Sequence, residues 1–133
     1  MKSVEKSGEK DLHADLTEKI LAAAFEVHST LGPGLLESAY EACLAHELAL
    51  RGIPFARQLS LPVQYKDQSV DVGFRIDLLI ADAVVVELKA VDHLLGIHEA
   101  QLLTYLKLTG KRVGLLINFN THHLRDGIKR RVL

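Results

Sequence analysis

Val84-Val85-Val86-Glu87-Leu88-Lys89-Ala90-Val91 is an apolar run interrupted by one carboxylate and one ammonium. In a strand alternate residues share a face, so Val85, Glu87 and Lys89 lie on one side. Burying both charges costs on the order of several kcal/mol unless each is paired or ligates something. A same-face ion pair at an exposed strand end is the plainest way out. The preceding segment offers another. Asp77 shares a face with Asp71, Gly73, Arg75 and Leu79, and a two-residue turn at Ala81-Asp82 would bring it beside Glu87 in an antiparallel pair. Two carboxylates held together repel unless a cation sits between them. A hard dication such as Mg²⁺ takes oxygen ligands and suits two carboxylates completed by waters and phosphate oxygens. Lys89 could then activate a water or stabilise charge on a phosphate. Arg75 as partner of Asp77 is the competing, purely structural arrangement.

The elements that must position these residues follow from periodicity. Leu16, Ile20, Ala23, Ala24, Val27 and Leu31 recur at helical spacing, and Gly32-Pro33-Gly34 ends that helix. A second helix is expected from Leu36 to Leu50, with Leu36, Tyr40, Cys43, Leu44 and Leu48 on its buried side. Alternation over Gln58–Tyr65 and Val70–Ile80, with a turn at Lys66–Ser69, predicts a hairpin. Val72, Phe74, Ile76, Leu78 and Ile80 would share its apolar face. Ala83–Val91 is nearly continuous in apolar character, the pattern of a central strand buried on both faces. Helical spacing returns over Gly96–Gly110, and Arg112–Phe119 is a further strand, reached by a crossover and hence parallel to the third. A short edge strand is expected around Ile128–Leu133. The order α-α-β-β-β-α-β describes an α/β fold: a mixed β-sheet of four to five strands flanked by helices.

Asp77, nine intervening residues, then Glu87-Leu88-Lys89 resembles the D…(D/E)XK signature of the PD-(D/E)XK nuclease superfamily, with Ile76 where a proline usually precedes the aspartate. Gly34-Leu35-Leu36-Glu37-Ser38-Ala39-Tyr40 further resembles the G-x-x-E-x-x-Y motif of the GxxExxY proteins, which look like a branch of that superfamily. The segments FRIDLLI, VVVELKAV, HEAQLLTYLKLTG and GLLINF are similar to it as well. The resemblance implies a restriction-endonuclease-like fold and a Mg²⁺- or Mn²⁺-dependent nuclease acting on DNA or RNA. It implies Asp77 and Glu87 as metal ligands and Lys89 as the catalytic lysine. Glu37 would be an extra ligand or supporting acid, although a carboxylate there is also favoured by the helix dipole alone. Gln101 and Tyr105, one helical turn apart, resemble a Q-x-x-x-Y pair that positions the lysine or contacts the substrate backbone. Tyr40, on the same face as Glu37, is expected to pack in the core with a hydrogen bond or to support the site.

Length, charge and composition narrow the choice. The chain has 133 residues, enough for one domain with a single core; residues 1–14 are expected as a loose tail and 15–133 as the domain. No apolar stretch approaches the roughly 18 residues of a membrane span, and the charged opening Met1–Asp11 has no apolar run of the signal-peptide kind. A cytoplasmic location is therefore expected. Cys43, the single cysteine, cannot form an intrachain disulfide and is expected as a small core residue. The seven histidines show no zinc-binding spacing; His98 alone could face the cleft. Net charge is −1, with no general basic surplus for duplex binding, and Lys129-Arg130-Arg131 is the one short basic run near a terminus. That balance keeps open a different class of function, an inactive nucleic-acid- or protein-binding module retaining the fold. A homodimer burying a helix face is a further expectation.

Overall fold

A computed structural model describes residues 12–133; most of the expected tail lies outside them. Helix α1 (Ala14–Leu31) buries Ile20, Ala23, Ala24 and Val27, the stripe its periodicity predicts. It stops where the chain turns left-handed at Gly32, φ 68°, whose N–H bonds back to the His28 carbonyl. Helix α2 (Glu37–Leu50) buries Tyr40, Glu41, Leu44, Ala45 and Leu48. Two expected members of that face are corrected. Leu36 precedes the helix and is 77% exposed, and Cys43 points to solvent. The buried arc turns toward Glu41 and Ala45, which leaves Cys43 on the opposite flank.

The sheet follows. Its strands are β1 (Phe55–Ser60), β4 (Arg75–Ile80), β5 (Val84–Lys89), β6 (Val113–Asn118) and β7 (Ile128–Val132), ordered β1-β4-β5-β6-β7. All neighbours are antiparallel except β5 and β6, which run parallel through the crossover helix α3 (Gly96–Thr109). This is the expected mixed sheet flanked by helices, consistent with a restriction-endonuclease-like fold. A separate hairpin of β2 (Val63–Tyr65) and β3 (Gln68–Val70) stands outside it. The two long strands expected here are thus each broken in two. Pro62 has no N–H to give a ladder, and on the other side the chain turns at Gly73, φ 79°. Between β4 and β5, Ala81 and Asp82 both take positive φ, 52° and 53°, giving the tight two-residue turn expected there.

Two cores lie on the two faces. Against α1 and α2 pack Leu78, Ile80, Val84, Val86, Leu88, Leu115 and Ile117. Against α3, through Leu102, Tyr105 and Leu106, pack Ile76, Leu79, Val85 and Leu116. Ile76 therefore does not share a face with Leu78 and Ile80, contrary to simple alternation. The departure is local. β1 and β4 pair at Arg57↔Leu78 and Leu59↔Ile76, but the intervening Gln58 sits at φ 49° and does not ladder with Asp77. The change of face in β4 coincides with this break in the β1–β4 ladder.

The end of β5 is held by Asn118, which is buried at the end of β6. Its side chain accepts from Val91 N–H (3.0 Å) and donates to Val91 C=O (2.8 Å), while Phe119 N–H bonds the Lys89 carbonyl (2.9 Å). A Cβ at Gly127 would lie 2.3 Å from the Asn118 carbonyl oxygen, backbone that cannot yield cheaply. Gly127→Ala should therefore destabilise the fold by about 3 kcal/mol, read as a lowered urea midpoint. An unchanged midpoint would mean that β6 and the 3-10 turn before β7 move apart freely.

Candidate active site

β4 and β5 ladder from Ile80↔Val84 to Leu78↔Val86 and then stop pairing backbone to backbone. Side chains take over. The Asp77 N–H donates to Glu87 Oε2 at 2.9 Å, and the Leu88 N–H donates to Asp77 Oδ2 at 2.8 Å. Each carboxylate is aimed by the other residue's strand, and both occupy the gap where the strands part. The two acids that the sequence pairs are thus brought together.

Glu87 is 4% exposed. Burial, and then the neighbouring Asp77 charge, push its carboxyl up to about 9. Among the described residues no lysine or arginine forms an ion pair with either carboxylate; Arg75 is exposed and does not take up Asp77. Lys89 follows two residues after Glu87, half-buried, and its charge acts on both Glu87 and Glu37.

From the α3 side come Gln101 and Tyr105. Tyr105 is buried, and its hydroxyl is pushed upward by burial and by the Glu87 and Asp77 charges, while a hydrogen bond from Gln101 pulls the other way. Gln101 and Tyr105 sit one turn apart on α3, with Tyr105 within electrostatic reach of the acids. His98 is engaged elsewhere, because its Nδ1 accepts the Leu95 N–H at 3.0 Å and caps α3.

From the other layer comes Glu37, first residue of α2. It is exposed, and its carboxyl is raised by partial burial, opposed by Lys89 and reinforced by Asp77 and Glu41. The loop before it explains the spacing of Gly34, Glu37 and Tyr40. Gly34 adopts φ 100°, which a side chain would resist. Tyr40 donates its hydroxyl to Gly32 C=O (2.5 Å), accepts from Leu35 N–H (3.1 Å) and stacks on Phe119 with ring centroids 4.6 Å apart. With its hydroxyl engaged on the loop, Tyr40 fixes where α2 begins rather than facing the acid pair. Tyr40→Phe removes both bonds and should cost about 1–3 kcal/mol. A thermal midpoint within a degree of wild type would refute this.

Three participants escape sequence reasoning. Glu41, buried one turn after Glu37, accepts from Arg57 (Nη2 3.1 Å, Nε 3.3 Å) and from Gln58 Nε2 (2.6 Å). Gln58 Nε2 also donates to Asp77 Oδ1 at 3.2 Å. The one available signal was a second glutamate at helical spacing from Glu37.

The donors present fit a dication. A buried carboxylate beside another, with no ion-pair partner among the described residues, is a charge arrangement that a cation would complete. Among the described residues no three His, Cys, Asp or Glu side chains gather closely enough to hold a metal by themselves. Two carboxylates, with water and phosphate oxygens filling the remaining positions, are the set Mg²⁺ commonly accepts.

Among the described residues no helix is long and apolar enough to cross a membrane. No curated protein and no solved structure matches the chain. Residues 14–131 match the family model of the PD-(D/E)XK nuclease superfamily, whose members generally use divalent metal ions. That match runs from the start of α1 into the last strand, β7, and includes the aspartate, glutamate and lysine on adjacent strands. The chain belongs to the PD-(D/E)XK nuclease superfamily.

Proposed function

We propose that this protein hydrolyses phosphodiester bonds in DNA or RNA with Mg²⁺ or Mn²⁺ held by Asp77, Glu87 and a main-chain carbonyl near Leu88. The observation that carries this reading is the buried Glu87 beside Asp77, with no lysine or arginine among the described residues in an ion pair with either carboxylate. A bound dication would polarise the scissile phosphate and ease deprotonation of a water. Lys89, on the same strand face as Glu87, orients that water or meets the charge developing on the phosphate. Gln101 and Tyr105 line the α3 side and position the lysine or the substrate backbone. Glu37 acts from outside the pair, within reach of Asp77 and Lys89. Gly34, Glu37 and Tyr40 support placing the chain in the GxxExxY branch, since each has a distinct role at the start of α2.

The decisive experiment titrates purified protein with Mn²⁺ by calorimetry and incubates it with labelled DNA and RNA. Mn²⁺ binding and cleavage are both expected, and both should be lost in Asp77→Asn. Binding without cleavage of any substrate would favour the inactive binding module. Absence of Mn²⁺ binding would remove the metal centre, and equal cleavage by Asp77→Asn would assign the activity to a contaminant.

A further inference from the structure

We infer that Gln58 is a positioning residue for the metal centre, tying the Asp77 carboxylate to the buried Glu41 of α2. Such a role presupposes the metal site proposed above. Gln58 lies on the edge strand opposite Asp77, at φ 49°, in the left-handed region where glutamine is uncommon. Its amide nitrogen carries two hydrogens. At 2.6 Å and 3.2 Å from that one nitrogen stand Glu41 Oε1 and Asp77 Oδ1. Glu41 is itself anchored, because its other oxygen takes the Arg57 guanidinium at 3.1 Å. Asp77 is then gripped at both oxygens, by Gln58 at Oδ1 and by the Leu88 N–H at Oδ2. A carboxylate fixed at both atoms cannot swing away from Glu87 when a cation arrives.

A residue kept only for local stability should not sit where glycine is easier. Strained backbone at a site has meaning when the side chain it carries serves that site. Gln58 is exposed, so replacing it opens no cavity. Hydrogen-bonded partners of metal ligands typically govern metal affinity or activity by about 10–100-fold.

The test uses Gln58→Gly, which suits φ 49° better than glutamine, and Gln58→Asn, which tolerates that backbone but is too short to span both acids. Each is compared with wild type by Mn²⁺ calorimetry, thermal melting and nuclease assay. The expected result is a fold that still melts cooperatively, its midpoint lowered by no more than the lost Glu41 contact accounts for, Mn²⁺ affinity weakened about 10–100-fold, and kcat restored at high Mn²⁺ with KM for nucleic acid unaltered. Wild-type Mn²⁺ affinity in both variants would overturn the inference and leave the metal site standing. Loss of the fold in both would make Gln58 merely structural and overturn it too. A wild-type protein that binds no Mn²⁺ would sink the metal site and this inference together.

Discussion

Lys89→Ala should lower the cleavage rate about 10²–10³-fold, the scale on which one preorganised electrostatic contact to a developing charge is felt. Mn²⁺ affinity should stay near wild type, because the ammonium forms no ion pair with Asp77 or Glu87. Stability should change little, since Lys89 is only half-buried and its main-chain carbonyl keeps its bond to Phe119 N–H. Single-turnover rates at saturating Mn²⁺ measure the chemical step. Cleavage within about threefold of wild type would reduce Lys89 to a bystander at the end of the strand. The contrast with Asp77→Asn is diagnostic: one variant loses chemistry alone, the other loses the metal as well.

Glu87→Gln should abolish activity and yet stabilise the metal-free protein. The Glu87 carboxyl titrates near 9 when folded, against an ordinary value of 4.5, chiefly because burial disfavours its charge and Asp77 repels it. Between those values the folded state keeps a proton that the unfolded chain has lost. Stability of the metal-free protein therefore falls as pH rises from about 4.5 to about 9 and levels off beyond. Each pKa unit is worth about 1.4 kcal/mol, so the loss by neutral pH amounts to a few kcal/mol. Glutamine carries no such charge and can still accept the Asp77 N–H. In EDTA at about pH 8 the variant should melt several degrees above wild type, and the downward slope with pH should vanish. Added Mn²⁺ should raise the wild-type melting point and leave the variant's alone. A wild-type melting curve that is flat across this range in EDTA would contradict the buried, protonated acid.

Much of this arrangement is legible in the sequence because it rests on period and spacing. The continuous apolar run of β5 is broken only by Glu87 and Lys89, and it does lie at the centre of the sheet. The short Ala81-Asp82 turn does return Asp77 to Glu87. Gln101 and Tyr105 do lie one turn apart on α3, and Tyr105 feels the charge of both acids. What is not legible depends on departures from ideal geometry or on contacts distant along the chain. Strict alternation assigns Ile76 to the face of Leu78, whereas Ile76 packs in the α3 core, where the β1–β4 ladder breaks at Gln58 and Asp77. Helical periodicity places Cys43 near the buried arc without saying on which flank that arc widens; Glu41 widens it the other way. Glu41 is buried because Arg57 and Gln58, contributed by another strand, satisfy its charge. Nothing in the spacing of a helix announces a partner that far along the chain.

The kink at Gln58 has a bearing on solubility as well as on chemistry. β1 and β7 are the free borders of the sheet, and a straight, unguarded border invites another chain to add a strand. On β7 that invitation is blunted by Lys129, Arg130 and Arg131 in succession. On β1 the left-handed residue interrupts the straight run of the strand midway, with the charge of Arg57 beside it. The same distortion that aims a ligand inward denies neighbouring molecules a flat template outward, so straightening this strand by mutation would invite aggregation.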